Sequence, residues 1–390
     1  MAQTRKASRY IVPVAVAGAA AATIGLVPAL AASGDPDLPE ITAQQLIEKI
    51  AASDTQTLSG TFKISTDLGL PALDGLLSGV AGGGGSGSAD PSEQLTRLVS
   101  GTHTLRVAAD GPERQRLTLL DGKNEYSLVH NGTDVWAYDS ASNEVFHEKT
   151  PAEAGEQRGE ELPGTPKQLA DEVLKAAGDT TSITVGGTAK VAGRDAYQLV
   201  IAPKQSGSTV ESVKIAVDAA TGTPLKFTLA SVQGGKPVLD AGFTKVDFGR
   251  PAASEFTFQV PKGAKVTEGG AEAAGKDAEK ELEKGFGPGL GAPGLGGPGF
   301  GGPDGGPNVI GEGWTAVAKL VTGAPAPGKG EAPKEVQGFL DSFGEKVTGS
   351  FGSGTVFSTK LVNALMTDDG TVYVGAVTKD ALVNAANADK

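Results

Sequence analysis

From Thr61 onward the chain alternates apolar and polar residues with period two, in short runs separated by turn residues. Phe62 and Ile64 alternate with Thr61, Lys63 and Ser65, and Leu105 and Val107 with Thr104 and Arg106. Leu117 and Leu119 follow Arg114 and Arg116. Tyr126 and Leu128 continue into Val135-Trp136-Ala137-Tyr138 across His130-Asn131-Gly132-Thr133, whose Asn-Gly pair is a strong hairpin signal. Three more runs follow, Tyr197–Ile201, Val213–Val217 and Leu225–Leu229, and the pattern closes on Phe256 and Phe258. Two helical patterns interrupt it. Thr42 and Gln45 have capping-box spacing ahead of Leu46, Ile47 and Ile50. Thr165 is placed as an N-cap, with Pro166 at the first helical position, Gln168 three residues after the cap and Gly178 as the stop. Many short strands with a few inserted helices predict an antiparallel α+β domain. One side of its sheet must be covered, because an apolar face does not stay open to water.

The alternation fails in three stretches, which read as spacers. Leu76–Ala89 centres on Gly82-Gly83-Gly84-Gly85-Ser86-Gly87-Ser88, within an insertion spanning 66–95. Its first part, Leu68 to Leu77, is apolar, which suits either a flap over the domain or a satellite packed on it. Pro151–Pro163 is acidic and polar. Gly285–Pro307 alternates Gly and Pro around isolated Phe286, Leu290, Leu295 and Phe300 without the strict period of collagen. The organisation expected is therefore a main domain over 38–265, a charged helix at 271–284 and Gly/Pro-rich linker within 266–307, and a small α/β extension over 308–390. In that extension the pattern predicts a helix over Pro333–Lys346 and a strand over Gly354–Met366. After an Asp368-Asp369-Gly370 turn it predicts a strand over Thr371–Val377, then a closing helix from Lys379 to Ala388 whose Leu382, Val383 and Ala386 pack back on the hairpin.

Residues 1–31 change the picture of where this body resides. Arg5, Lys6 and Arg9 precede an apolar run from Tyr10 to Leu30 that ends in Ala29-Leu30-Ala31, a small-x-small cleavage pattern. A run of about 20 apolar residues also suits an uncleaved membrane anchor. The Ala- and Gly-rich content, Pro13 and Pro28 favour cleavage. Either way the body is expected outside the cytoplasmic membrane, secreted or associated with the envelope. The chain has no cysteine, so it has neither a lipobox nor disulfides, and it must rely on a packed core. The net charge of −12 becomes −15 once the three basic residues of 1–31 are removed, a balance that repels nucleic acid.

Trp136-Ala137-Tyr138-Asp139, Gly193-Arg194-Asp195-Ala196-Tyr197 and Val217-Asp218-x-x-Thr221-Gly222 together resemble motifs of the LolA/LolB/LppX/RseB-like superfamily. Trp136-Ala137-Tyr138-Asp139 followed by Asn143-Glu144-Val145 is similar to its W-x-Y-D hairpin. Gly193-Arg194-Asp195-Ala196-Tyr197-Gln198-Leu199 resembles a strand entry, and Val217-Asp218-x-x-Thr221-Gly222-x-Pro224-Leu225 resembles the v-D-x-x-T-g-x-P-l hairpin. The resemblance covers 38–265. It implies an unclosed β-barrel whose concave face, covered by helices, holds acyl chains. Candidates to line that face are Phe62, Ile64, Leu105, Val107, Leu117, Leu119, Tyr126, Leu128, Trp136, Tyr138, Leu199, Ile201, Ile215, Val217 and Phe227. Alternation alone does not say which residues point inward, and Trp136 and Tyr138 suit either a core or a cavity wall. Asp218, Thr221, Gly222 and Pro224 have an architectural reading instead: a turn in which the Asp side chain accepts from backbone N–H groups, Gly222 takes positive φ and Pro224 sets the exit.

Catalytic chemistry is not found. His103, His130 and His147 are expected at strand ends or turns, without ligand-spaced partners for a metal. Gly-x-Ser-x-Gly is missing, and Ser350 and Ser353 lie among glycines at the wrong spacing. Asp368-Asp369-Gly370 lacks the loop length and closing Glu of a calcium site. The expectation is a monomeric carrier or sensor of a lipid or an acylated lipoprotein, with no cofactor, metal or nucleic acid. The alternatives are an RseB-like module binding a membrane-anchored anti-sigma factor or other envelope protein, and a structural domain with a filled core.

Overall fold

The structure, a computed structural model, describes residues 35–69, 101–149, 177–269, 308–321 and 344–389, with Ala89, Asp171, Leu174 and Lys175 as single positions. The segment 1–31, most of the insertion and of the Thr165–Gly178 helix, the 271–284 helix, the Gly/Pro linker and 333–343 lie outside the described residues.

Helix α1 (Ala43–Ala51) is the first element among the described residues, with Thr42 accepting from the Gln45 N–H while the Gln45 side chain accepts from the Thr42 N–H. Eleven antiparallel strands follow. They are β1 (Thr57–Thr66), β2 (Gly101–Asp110), β3 (Arg114–Asp121), β4 (Asn124–Asn131), β5 (Asp134–Asp139), β6 (Glu144–Lys149), β7 (Thr181–Val191), β8 (Arg194–Pro203), β9 (Val210–Asp218), β10 (Pro224–Ser231) and β11 (Leu239–Asp247). A twelfth, β12 (Lys265–Gly269), completes the sheet in the order β12-β6-β5-β4-β3-β2-β1-β11-β10-β9-β8-β7. Two five-stranded meanders thus flank β1. Such connectivity needs only tight turns, such as Gly132 at φ +64° between β4 and β5. The two edges, β12 and β7, do not pair, so the sheet is unclosed. Contacts between β7 and β11, which stand four places apart in the sheet, show that it curls.

Several expected elements are different. β12 pairs with β6 in parallel, so the sheet is not wholly antiparallel. β7 and β11 went unread because Gly186-Gly187 and Gly242 interrupt their apolar rhythm. Phe256 and Phe258 are not in a strand. Phe256 ends a 3-10 turn (Ala253–Phe256), and Phe258 lies in the extended chain that follows. No backbone partner awaits them, because the segment crosses a sheet face rather than lying along an edge.

The C-terminal residues form a second sheet: β13 (Asn308–Ile310), β14 (Val317–Val321), β15 (Gly344–Gly349), β16 (Gly352–Ser358), β17 (Asn363–Thr367) and β18 (Thr371–Gly375), in the order β13-β14-β18-β17-β16-β15. Helix α2 (Lys379–Ala388) packs Leu382 and Ala386 against Val356, Leu365 and Tyr373. Two expectations fail here. Gly344-Glu345-Lys346 belong to strand β15, not to a helix, because they pair with Thr355, Val356 and Phe357 of β16. The expected strand 354–366 is a hairpin, broken at Thr359–Val362, where the Thr359 hydroxyl accepts from two backbone N–H groups and makes the turn itself.

Candidate functional site

Strand register decides which side chains share a face, since directly paired residues point the same way. One row runs Leu105–Phe62–Phe243 and continues from Leu105 through Leu119 to Tyr126. The adjacent row joins Val107, Leu117 and Leu128. On the other side of β1, Ile64 pairs with Ala241, Ala241 with Phe227, Phe227 with Ile215 and Ile215 with Leu199. Val217 with Tyr197, and Ile201 across β8 and β9, fall on the same side. Thirteen of the fifteen candidate residues therefore share one face, here called the inner face. Trp136 and Tyr138 do not: they pair with Val129 and Ser127, on the outer face.

The inner face is packed at two places. Phe62, Ile64, Leu105, Leu119 and Tyr126 form one core with Phe243, whose ring meets Phe62 edge-on at 4.4 Å. Leu199 and Val217 form another under α1, against Leu46 and Ile47. The Tyr126 hydroxyl donates to the carbonyl of buried Ala89 at 3.2 Å, so Ala89 also touches this face. Val107, Leu117, Leu128, Ile201, Ile215 and Phe227 are only half-buried. Phe146 and Leu239, partners in the same rows, belong to this face and went unread. The Ala-Gly-Phe and His-Glu-Lys stretches around β11 and β6 offered no clean alternation.

Asp218 is buried at the end of β9. Its carboxylate receives Arg194 through Nε and through Nη2 at 3.0 Å, the Thr221 N–H at 2.7 Å, the Thr221 hydroxyl at 2.9 Å and the Ala220 N–H at 3.1 Å. Burial pushes this carboxyl up, but the Arg194 guanidinium and Thr221 outweigh it and hold it below the usual carboxylate range. Gly222 sits at φ +75°, and a Cβ there would lie 2.3 Å from the Lys49 carbonyl of α1. The turn thereby also seats the helix. Pro224 pairs with Val217 at a bulge that opens β10.

On the outer face, Gly249 to Ala264 forms a strap that leaves β11 and reaches β6. Arg250 pairs with Asp110 at 3.0 Å, Arg116 donates to the Glu255 carbonyl at 3.1 Å, and Phe256 is buried beside β3 and β4. Phe258 stacks on Trp136 at 5.2 Å, and Trp136 stacks on His147 at 3.6 Å. His103 and His130 lie near the ends of β2 and β4, whereas His147 lies inside β6, and folding brings Asp134 and Glu268 to its two ring nitrogens. Among the described residues no group of His, Asp or Glu is arranged to hold a metal ion, and no helix is long and apolar enough to cross a membrane.

Residues 94–260 match the family model of the MucB/RseB N-terminal domain. The matched stretch takes in strands β2 to β11, so this part of the chain resembles a MucB/RseB N-terminal domain. Among solved structures the chain is similar to MucB in complex with MucA(peri), at 18% identity over 88% of this chain and 97% of that one, TM-score 0.37. It is similar to MucB of the Pseudomonas aeruginosa MucA/MucB complex at 17% identity, over 88% and 96%, TM-score 0.36. A LolA superfamily protein from Nitrosomonas europaea follows at 12% identity, over 56% and 99%, TM-score 0.21. Superpositions this loose decide neither a site nor a partner. No curated protein matches the chain.

Proposed function

We propose that the protein is an exported, non-catalytic envelope module whose inner sheet face takes up an acyl chain, either of a lipid or of an acylated lipoprotein. The observation that carries this reading is the set of thirteen apolar candidates on one face of an unclosed sheet, six of which remain half-buried although the core lies beside them. An acyl chain laid against Val107, Leu117 and Leu128 gains about 0.8 kcal/mol for each methylene removed from water. It needs no polar partner, which fits the apolar row Val107, Leu117, Leu128, Ala137 and Phe146. Export is supported by Arg5, Lys6 and Arg9 ahead of the apolar run.

The family match over 94–260 favours a second reading, an RseB-like regulatory module that binds a membrane-anchored anti-sigma factor or another envelope protein.

Native mass spectrometry of detergent-free protein, followed by organic extraction and by uptake of a fluorescent fatty acid, tests the first reading. A co-purifying acylated species is expected, with uptake falling about tenfold in Leu128→Gln and unchanged in Trp136→Ala, whose site faces the other way. Apo protein that takes up no fatty acid sinks the acyl reading and leaves the protein-partner module. Leu128 suits this test better than Leu199, because Leu199 is buried under α1 and a polar group there unfolds the domain.

A further inference from the structure

Away from the strap, the outer face of β9, β10, β11, β1 and β2 gathers basic residues, and strand pairing fixes their places. Thr61 of β1 stands between Arg106 of β2 and Lys245 of β11. The next outer position of β1 is Lys63, which stands between Thr104 and Gly242. Gly242 in turn pairs with Lys226 of β10, and Lys214 of β9 pairs with Thr228, the outer position after Lys226. Lys63 and Arg106 are therefore diagonal neighbours, as are Lys226 and Lys214, about 7–8 Å apart. Lys63 and Lys226 lie two strands apart, about 10 Å. Only a glycine separates them, and the Lys226 stem fills its place: a Cβ at Gly242 would lie 2.6 Å from Cγ of Lys226. Lys226 is paired, with buried Asp240 at 2.8 Å. Lys63, Arg106, Lys214 and Lys245 have no carboxylate partner among the described residues, and the last three are exposed. Asp247 lies beside Lys245, but its Oδ1 is engaged by the Gly249 N–H at 2.7 Å.

In a chain of net charge −12 this patch reverses the sign locally. Like charges on neighbouring strands cost stability, so the fold itself gains nothing from gathering them. The Debye length of about 8 Å at physiological salt screens the acids of the rest of the chain from a surface that touches this face. The outer positions among and beside the cations are Thr61, Ser65, Thr104, Thr228 and Gly242. They offer no apolar side chain for the dry centre of a protein interface. Ammonium, guanidinium and hydroxyl groups all donate, which suits phosphate oxygens. The apolar run Tyr10–Leu30 brings the chain to a bilayer whether it serves as signal or as anchor. We propose that this face docks on the headgroups of a membrane rich in anionic phospholipids, with Lys63, Arg106, Lys214 and Lys245 as its contacts. Each basic residue held near such a surface raises the partition about fivefold, without insertion among the acyl chains. Docking of this kind is independent of what the inner face binds.

Lysine acetylation by a water-soluble reagent, read residue by residue on the full-length protein by mass spectrometry, tests the docking face. One set of vesicles contains phosphatidylglycerol and phosphatidylcholine in equal amounts, the other phosphatidylcholine alone. On the anionic vesicles at about 0.1 M salt, rates at Lys63, Lys214 and Lys245 are expected to fall about fivefold, and to recover at about 0.5 M, where screening is stronger. Lys190 and Lys265, at least half-exposed on β7 and β12, are expected to keep their rates. An anchor formed by Tyr10–Leu30 holds the chain on both kinds of vesicle alike, so the difference between them reads the face. The combined variant Lys63→Gln, Arg106→Gln, Lys245→Gln breaks no ion pair among the described residues, and in it the protection of Lys214 is expected to vanish. Equal rates on the two kinds of vesicle, protection that extends to Lys190 and Lys265, or protection of Lys214 that survives in the variant each overturns docking on lipid. Protection by polyglutamate without protection by anionic vesicles also overturns it, and assigns the face to an acidic protein.

Discussion

Asp218 shows how a short motif acts through one carboxylate. Five hydrogen bonds converge on it from Arg194, Ala220 and Thr221, and the Arg194 guanidinium lies over the Phe248 ring at 4.7 Å. Breaking a buried pair from one side leaves a charge without its partner, at a cost of 3–5 kcal/mol. Arg194 is one-third exposed and can turn to solvent, so Asp218→Asn is expected to cost the lower figure, about 3 kcal/mol, read as a shift in the thermal midpoint. The pH profile separates charge from packing. A carboxyl held below its ordinary 3.8 stabilises the fold above that value, and this contribution is lost as the pH falls through its folded value. The stability gap between the native protein and Asp218→Asn is therefore expected to be full at pH 7 and to close as the pH drops below about 4. A gap that does not close assigns the cost to geometry rather than charge.

The strap is an element without regular secondary structure that nonetheless organises a whole face. It covers Thr118 and Ser127, which bond each other at 3.2 Å, and it puts Phe256 on strands that would otherwise show Val129 and Ala108 to water. Phe256 is 1% exposed, so Phe256→Ala is expected to cost about 3–5 kcal/mol, measured by urea unfolding. That cost is expected to come with exchange of the amides at 250–269 and not with loss of the inner cores. The W-x-Y motif takes its meaning at this scale. Trp136 and Tyr138 project outward to receive Phe258, which lies 5.2 Å and 6.2 Å from their ring centroids.

At the scale of the molecule, the two sheets meet through hydrogen bonds more than through apolar packing. Thr209 donates its N–H to the Ala376 carbonyl at 3.0 Å and Thr378 donates to Gly207 at 2.7 Å. The Ser231 hydroxyl donates to Lys360 at 2.6 Å, and the Trp314 indole N–H donates to Thr181 at 2.8 Å. Lys360 pairs with Asp67 at 2.7 Å, and its ammonium bond is the main cause holding that carboxyl below its usual range. Main-chain bonds of this kind demand exact backbone placement. Gly207, at φ +99° with Ala381 3.2 Å from where a Cβ would stand, is one such tight point. Calorimetry of the native protein is expected to show one transition, and Gly207→Val is expected to split it in two, the lower belonging to the C-terminal sheet. A single transition in Gly207→Val would mean that the junction is not what couples the sheets.

What local chemistry dictates, the sequence determined. The alternation of Phe62 with Ile64 and of Leu117 with Leu119 specified strands, Thr42 and Gln45 specified the start of α1, and Asn131-Gly132 specified a hairpin, because each depends on neighbours within a few residues. The motifs around Trp136, Arg194 and Asp218 pointed to the superfamily. Alternation has two phases, however, and only pairing across β4 and β5 decided that Leu128 faces inward and Trp136 outward. The same holds for β7 and β11, whose glycines blur the local pattern: Val200 and Lys226 pack close on Gly186 and Gly242, and Gly187 sits at φ +112°. His147 is the extreme case. Asp134 lies 13 residues before it and Glu268 lies 121 after it, and no local pattern links them. Their meeting is decided by the strap that carries β12 across the sheet, a long-range event that only the folded chain expresses.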